Sequence, residues 1–179
     1  MIEVSEENIR FFLDRTVGHI HRVQLWMLRI AVENPFKMPT DQRIELVYNA
    51  TNHDHSKFSK KQAIPYLRFS ASRRDNVQLD EEEQRDIDVA YDHHIHTENH
   101  HPHYDLFKSS FLEAIEIACD LQAMADEFGQ GSGRVFFQEK WKKNNSKYYY
   151  DDHNYYTTCD IIERCFDFFD GYLVTSSQT

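Results

Sequence analysis

Apolar residues recur at steps of three and four along most of this chain, and that spacing is typical of helices with one buried face. The first segment with this pattern, residues 5–33, predicts one long amphipathic helix that ends at Asn34, because a proline follows. The same period predicts three further helices, at about 40–54, 105–128 and 158–169. Gly129 is the predicted C-terminal stop of the helix over 105–128.

Polar residues mark two more helix starts. Ser59 and Gln62 have the spacing of a capping box, as do Asp80 and Glu83, so each pair predicts the first turn of a helix. Residues 70–78 are polar and have no period, which predicts a surface loop. With only five glycines and four prolines, the chain has little material for tight turns between strands. The predicted fold class is therefore all-α, a helical bundle.

Length and composition favour one soluble domain. The chain has 179 residues, of which 40% are hydrophobic and 28% charged, as expected for a globular protein with one core. We expect residues 1–179 to form a single helical domain, with 130–179 as a C-terminal helical extension packed on it. Residues 130–133 are expected to be a flexible link within that extension.

Charge and cysteine usage limit the environment and the partners of the chain. Three cysteines without metal-type spacing indicate reduced thiols, and no apolar run has membrane-spanning length, so a cytoplasmic protein without a membrane partner is predicted. The formal net charge of −10 argues against strong nucleic-acid binding, which requires a basic surface. A small phosphorylated substrate is compatible, because a bound cation can reverse the local field. The oligomeric state is open, a homo-oligomer included.

An adjacent pair, His53 and Asp54, is the first candidate for chemistry. The imidazole offers a neutral nitrogen and the carboxylate a hard oxygen, and both are ligands for divalent cations. On a helical wheel His19 lies at the flank of the apolar stripe of its helix, whereas His21 points largely away from it. Asp120 lies at the edge of another apolar stripe. Taken alone, each of these residues could equally be structural.

A histidine-rich stretch, His93 to Tyr104, holds the densest chemistry in the sequence. A helix is not expected to continue past Asn99, because a proline follows three residues later. The second half of the stretch is therefore predicted to be a loop, which can fold back and present His100 or His101 near His94. The alternative interpretation is an exposed polar loop.

The candidates resemble the metal residues of the HD-domain superfamily, whose members are metal-dependent phosphohydrolases. That family has a histidine on the first helix, an adjacent His-Asp pair and a late aspartate, and the matching residues here are His19, His53, Asp54 and Asp120. The resemblance implies a helical bundle of the HD type that binds one divalent ion, with Mn, Fe, Co, Ni, Zn and Mg all open. Candidates for a second ion or for phosphate contact are His93, His94, His100 and His101.

A longer pattern resembles a group of uncharacterised bacterial and phage proteins related to the HD hydrolases. Its parts, within about residues 15–145, are His53-Asp-His-Ser-Lys-Phe58, His93-His94 and Asn99-His-His-Pro102. The chain departs from the superfamily in two places. Lys57 stands where many nucleotide-cleaving members carry an acid, and no histidine lies between His55 and His93. The second departure favours one metal ion over two.

The resemblance implies hydrolysis of a phosphate ester in a nucleotide or a similar small metabolite. In this hypothesis Lys57 holds a phosphate oxygen, and His93, His94 or His101 contacts the phosphate or protonates the leaving oxygen. The candidate catalytic residues are thus Lys57 and His94. Two alternatives stay open, a diiron oxygenase of the HD type and a non-catalytic helical protein that binds metal.

Overall fold

The computed structural model describes residues 1–98, 100–101, 109–142 and 153–176, and every regular element in these ranges is a helix. The helices, in chain order, are α1 (Glu6–Glu33), α2 (Thr40–Asn52), α3 (Ala63–Asp75), α4 (Glu81–Thr97), α5 (Phe111–Phe128), α6 (Arg134–Phe136) and α7 (His153–Ser176). A 3-10 turn, His55–Phe58, lies between α2 and α3, and a π-helical turn, Phe137–Lys142, follows α6. The predicted all-α class is confirmed.

The chain groups into two compact units. The first unit contains Met1–Ile20 and Asp54–His101, and the second contains His21–His53 and Pro102–Thr179. The chain passes from one unit to the other within α1 and again between His53 and Asp54. That residues 1–179 form a single domain stays a prediction, as does the role of 130–179 as an extension.

Several helix ends follow the polar signals of the sequence. Asp80 accepts a hydrogen bond from the Glu83 N–H at 2.9 Å, and the Glu83 carboxylate accepts one from the Asp80 N–H at 3.1 Å, so the predicted capping box before α4 is confirmed. The helix α5 ends at Phe128 and is capped by Gly129, which has a left-handed φ of 64°. Its start is later than predicted, because Ser110 caps it and Phe111 is its first residue; residues 102–108 lie outside the described residues.

Two predictions between residues 59 and 78 are wrong. Residues 70–75 are not a loop, because α3 continues to Asp75 and buries Ser70, Ala71 and Ser72; only 76–78 of the predicted loop lie outside a helix. These side chains are too small and polar to produce an apolar period, although the segment is packed. Ser59 and Gln62 form no capping box, since α3 begins only at Ala63 and the Gln62 amide has other partners.

The two units have interiors of different character. In the second unit α5 packs against α7 around an apolar core. The predicted final helix is confirmed there but is longer, His153–Ser176. Its apolar residues at helical spacing are buried: Ile161, Ile162, Cys165, Phe166 and Phe169. The first unit instead buries many polar side chains, which is unfavourable unless they are hydrogen-bonded, paired or bound to an ion. Among the described residues, no helix is both long and apolar enough to cross a membrane.

The segment after α5 is tightly packed at one residue. The Gln122 side chain is fully buried, donates to the Gly131 carbonyl at 2.9 Å and accepts from the Gly133 N–H at 2.9 Å. A Cβ atom at Gly133 would lie 2.7 Å from the backbone nitrogen of Gln122. Residue 133 is therefore held against α5 rather than forming part of a flexible link.

Candidate metal centre

The backbone turns sharply at the His-Asp pair. The helix α2 was expected to reach Asp54, but it ends at Asn52, and Asp54 adopts the left-handed conformation with φ 59°. Aspartate enters this region more readily than most residues, because its short polar side chain can bond locally. The helical period over 40–54 could not predict this turn. Both His53 and Asp54 are 1% exposed, so the pair is buried rather than being a solvated helix end.

The Asp54 carboxylate is surrounded by nitrogen atoms within the first unit. Its Oδ1 lies 3.1 Å from His94 Nε2 and 3.5 Å from His100 Nε2. Its Oδ2 lies 3.6 Å from His19 Nε2 and forms an ion pair with the Lys57 ammonium group. The three imidazoles are buried, whereas the Lys57 side chain is 20% exposed. One buried acid thus faces imidazoles from α1, from α4 and from the segment after α4.

Four residues of this unit could hold a metal ion. Asp54, His94, His100 and His101 each offer one ligand atom, and these four atoms lie within 4.8 Å of one another. The Nε2 atoms of His94 and His101 are 2.8 Å apart, so the segment after α4 does fold back onto the helix as predicted. Ligand atoms bound at about 2.0–2.1 Å to a tetrahedral ion are about 3.4 Å apart. The spacing of the cluster therefore fits a small divalent cation.

A chain of hydrogen bonds orients His94. Its Nδ1 is 2.7 Å from Ser56 Oγ, and that hydroxyl is 3.3 Å from Oε1 of the fully buried Gln62. Because the amide oxygen can only accept, the Ser56 hydroxyl donates to it and can accept from His94 when that imidazole carries its proton on Nδ1. That tautomer has its lone pair on Nε2, the atom that faces Asp54, and is the one that binds a metal ion there. The Gln62 amide group is also 2.8 Å from His93 Nδ1, so His93 contacts this chain of hydrogen bonds.

Burial changes the ionisation of two residues beside Asp54. Desolvation lowers the pKa of His94, although the Asp54 carboxylate opposes this shift, and a neutral imidazole is the form that binds metal. Burial, followed by the negative charge of Asp54, raises the pKa of the Tyr66 phenol. The Tyr66 ring meets the His94 ring edge to face at a centroid distance of 5.8 Å. The Lys57 Nζ lies 5.7 Å from the centre of the same tyrosine ring.

In the second unit, His53 is held by two acids of α5. Its Nδ1 lies 2.9 Å from Glu116 Oε1, and its Nε2 lies 3.9 Å from Asp120 Oδ1. Glu116 is a residue that the sequence analysis did not select. It lies one helical turn before Asp120, so the signal that could have found it was two acids four residues apart on one helix face.

The predicted ligands fall into pairs within their own units. His19 lies near Asp54, and His53 lies near Asp120. That all four hold one ion stays a prediction, and so do the catalytic roles of Lys57 and His94. Of the four candidates for a second ion, His94, His100 and His101 belong to the ligand group of the first unit, whereas His93 contacts Gln62. His103 lies outside the described residues.

The described residues form an all-helical protein with a buried group of imidazoles around a carboxylate that could hold a metal ion. A family model described as a family of unknown function, DUF5662, matches residues 8–167. The chain belongs to this family. No curated protein and no solved structure matches the chain.

Proposed function

We propose that the protein is a metal-dependent phosphohydrolase that cleaves a phosphate ester of a nucleotide or a similar small metabolite. The observation that carries the proposal is the Asp54 carboxylate, whose Oδ1 lies 3.1 Å and 3.5 Å from two imidazole nitrogens in a buried cluster. A buried acid among histidines is expensive unless it is paired or binds a cation. The resemblance of the sequence to the HD-domain superfamily supports the same class of reaction.

The residues of the first unit suit a divalent transition-metal ion. Three imidazoles and one carboxylate form a donor set accepted by zinc, iron, cobalt, nickel and manganese. Asp54, His94, His100 and His101 would hold the ion. When bound, such an ion supplies Lewis acidity, which neutralises charge at phosphorus and lowers the pKa of water. Binding of the single predicted ion at His19, His53, Asp54 and Asp120 is the competing assignment.

The other residues of the cluster would orient the substrate. Lys57 is partly exposed and its ammonium group is paired with Asp54, so a phosphate oxygen can compete for it from the solvent side. In this position Lys57 would bind the phosphate and place the ester against the cluster. The net charge of −10 favours a small phosphorylated molecule over a polynucleotide, because an acidic surface repels a long phosphate backbone.

Metal analysis followed by an activity screen tests this proposal. Protein purified without chelator should contain a divalent metal, and with added Mn²⁺ it should release phosphate from at least one member of a panel of phosphorylated small molecules. Asp54→Asn should lower kcat/KM by more than about 100-fold. The matched control is His96→Ala, which removes an exposed histidine from the same stretch of α4. Full activity in the presence of excess chelator would contradict the proposal.

The same samples separate the alternatives and the two metal assignments. Two irons per chain with consumption of oxygen would support a diiron oxygenase, whereas bound metal without any turnover would support a non-catalytic metal-binding protein. Loss of the metal in His101→Ala supports the cluster of the first unit. Loss in Asp120→Ala, with retention in His101→Ala, supports the assignment made from the sequence resemblance.

A further inference from the structure

The Tyr66 hydroxyl is a buried polar group that the proposed reaction has not used. Tyr66 lies in the first turn of α3, where its N–H donates to the Gln62 carbonyl at 3.0 Å. Its hydroxyl is inaccessible to solvent and has no hydrogen-bond partner among the described residues. Buried hydroxyls are nearly always hydrogen-bonded in native proteins, so a group of this kind requires a reason for its position.

The surroundings of Tyr66 supply that reason. Its ring packs edge to face against His94, at 5.8 Å between centroids, and His94 Nε2 lies 3.1 Å from Asp54. The Lys57 ammonium group lies 5.7 Å from the ring centre and is ion-paired with the same carboxylate. The Tyr66 side chain, whose hydroxyl is an unsatisfied donor, and a cation therefore both lie close to the candidate metal ligands. A phenol that donates beside an ammonium group is suited to an oxygen that carries negative charge.

We infer that the Tyr66 hydroxyl, together with Lys57, binds an anionic phosphoryl oxygen of the substrate. This inference rests on the proposed function, because it places the phosphate beside the metal ligands. It assigns Tyr66 to substrate binding and not to metal binding, since a neutral phenol is a hydrogen-bond donor. The chemical class of the ligand is an inorganic phosphate or the phosphate group of a small ester.

The variant Tyr66→Phe separates this role from a structural one. It keeps the aromatic ring and removes only the hydroxyl. Removal of a hydroxyl that stabilises the fold through a hydrogen bond lowers the melting temperature, whereas removal of a hydroxyl that bonds only to a ligand does not. Tyr48→Phe is the matched control, because it makes the same chemical change on an exposed tyrosine of α2, which is 67% exposed.

The experiment uses the full chain, with Mn²⁺ as the metal probe and inorganic phosphate as the anion probe. For Tyr66→Phe we expect an unchanged or higher melting temperature without metal, an Mn²⁺ affinity within twofold of the unchanged protein, and a phosphate affinity of the Mn²⁺-loaded protein lower by about tenfold. If an ester substrate has been found, its KM should rise by a similar factor. Tyr48→Phe should leave all of these quantities unchanged.

Two results would overturn the inference. One is equal phosphate affinity in Tyr66→Phe and the unchanged protein, and the other is a lower melting temperature with no change in phosphate binding. Failure of the proposed function is distinguishable from both. If the protein binds Mn²⁺ and phosphate but hydrolyses no ester, the proposed reaction is refuted. The phosphate affinities of Tyr66→Phe and the unchanged protein then still decide the role of Tyr66. A Mn²⁺-loaded protein that binds no phosphate overturns the inference directly.

Discussion

Replacing Ser56 with alanine tests how the candidate metal ligands are oriented. The Ser56 hydroxyl oxygen lies 2.7 Å from His94 Nδ1, from which it accepts in the metal-binding tautomer, and 3.3 Å from Gln62 Oε1. Without it, His94 loses the group that selects its tautomer and fixes its ring. The imidazole can then rotate or carry its proton on Nε2, which is the atom proposed to bind the ion.

The size of the effect follows from the contacts that are lost. A buried N–H without an acceptor costs about 1–3 kcal/mol, and the loss of a residue that orients a metal ligand weakens metal binding by about 10- to 100-fold. The second range corresponds to about 1.4–2.7 kcal/mol, so the two estimates agree. We therefore expect the Kd of the Ser56→Ala protein for Zn²⁺ or Mn²⁺ to rise by at least about tenfold.

The neighbouring Ser59 provides the matched control for this measurement. Ser56 lies in the 3-10 turn and Ser59 directly follows it. The Ser59 hydroxyl is buried and has no hydrogen-bond partner among the described residues. Ser59→Ala should therefore leave the Kd within twofold and leave stability unchanged or slightly higher. Isothermal titration of both variants at pH 7.5 gives the comparison. Equal metal affinity in the two variants would refute the assignment of Ser56 to His94.

Three further predictions follow from packing and burial. Gly133→Ala should lower the free energy of unfolding by about 1–3 kcal/mol, because the added Cβ would lie 2.7 Å from the backbone of α5. Gly171→Ala should stabilise α7 by about 0.5–1 kcal/mol, because an added Cβ there has no neighbouring atom within 4 Å. Urea unfolding measures both changes. Burial raises the pKa values of Cys119 and Cys165, so neither thiol should react with DTNB before unfolding, and fast labelling of the native protein would contradict this. Burial lowers the pKa of His94 below its usual 6.5, so as the pH falls the unfolded chain takes up this proton before the folded protein does. The free energy of unfolding of the metal-free protein should therefore fall below about pH 6.5, by at most about 1.4 kcal/mol per pH unit. A His94→Gln variant should lose this contribution when unfolding is measured from about pH 7.5 to 5.5.

Helix type and several helix ends were predictable from the sequence because they depend on local chemistry. The capping box at Asp80 and the stop at Gly129 involve residues close together in the chain, and both are confirmed. The helix over residues 70–75 was not predictable in this way, because it is packed through small side chains and is capped by Asn76, whose N–H donates to the Ser72 carbonyl. Such packing leaves no apolar period in the sequence.

The residue types of the candidate site were predictable, but their partners were not. Histidine density indicated the stretch around His94, and an adjacent His-Asp pair indicated Asp54. The groups that orient them, such as Ser56, Gln62 and Glu116, are ordinary residues in sequence and become significant only through distances to His94, His93 and His53. The separation of the candidates into two units also could not be anticipated, because the dividing point lies between two consecutive residues.

The left-handed backbone at Asp54 restricts which amino acids can replace aspartate at this position during evolution. At φ 59° only glycine, asparagine and aspartate are readily accommodated. Asparagine is one nucleotide substitution away from aspartate and keeps the shape of the side chain, but it carries no negative charge. A single base change could therefore remove the carboxylate and leave a well-folded protein. We expect any inactive members of this family to carry asparagine here, with the rest of the histidine cluster preserved for a time.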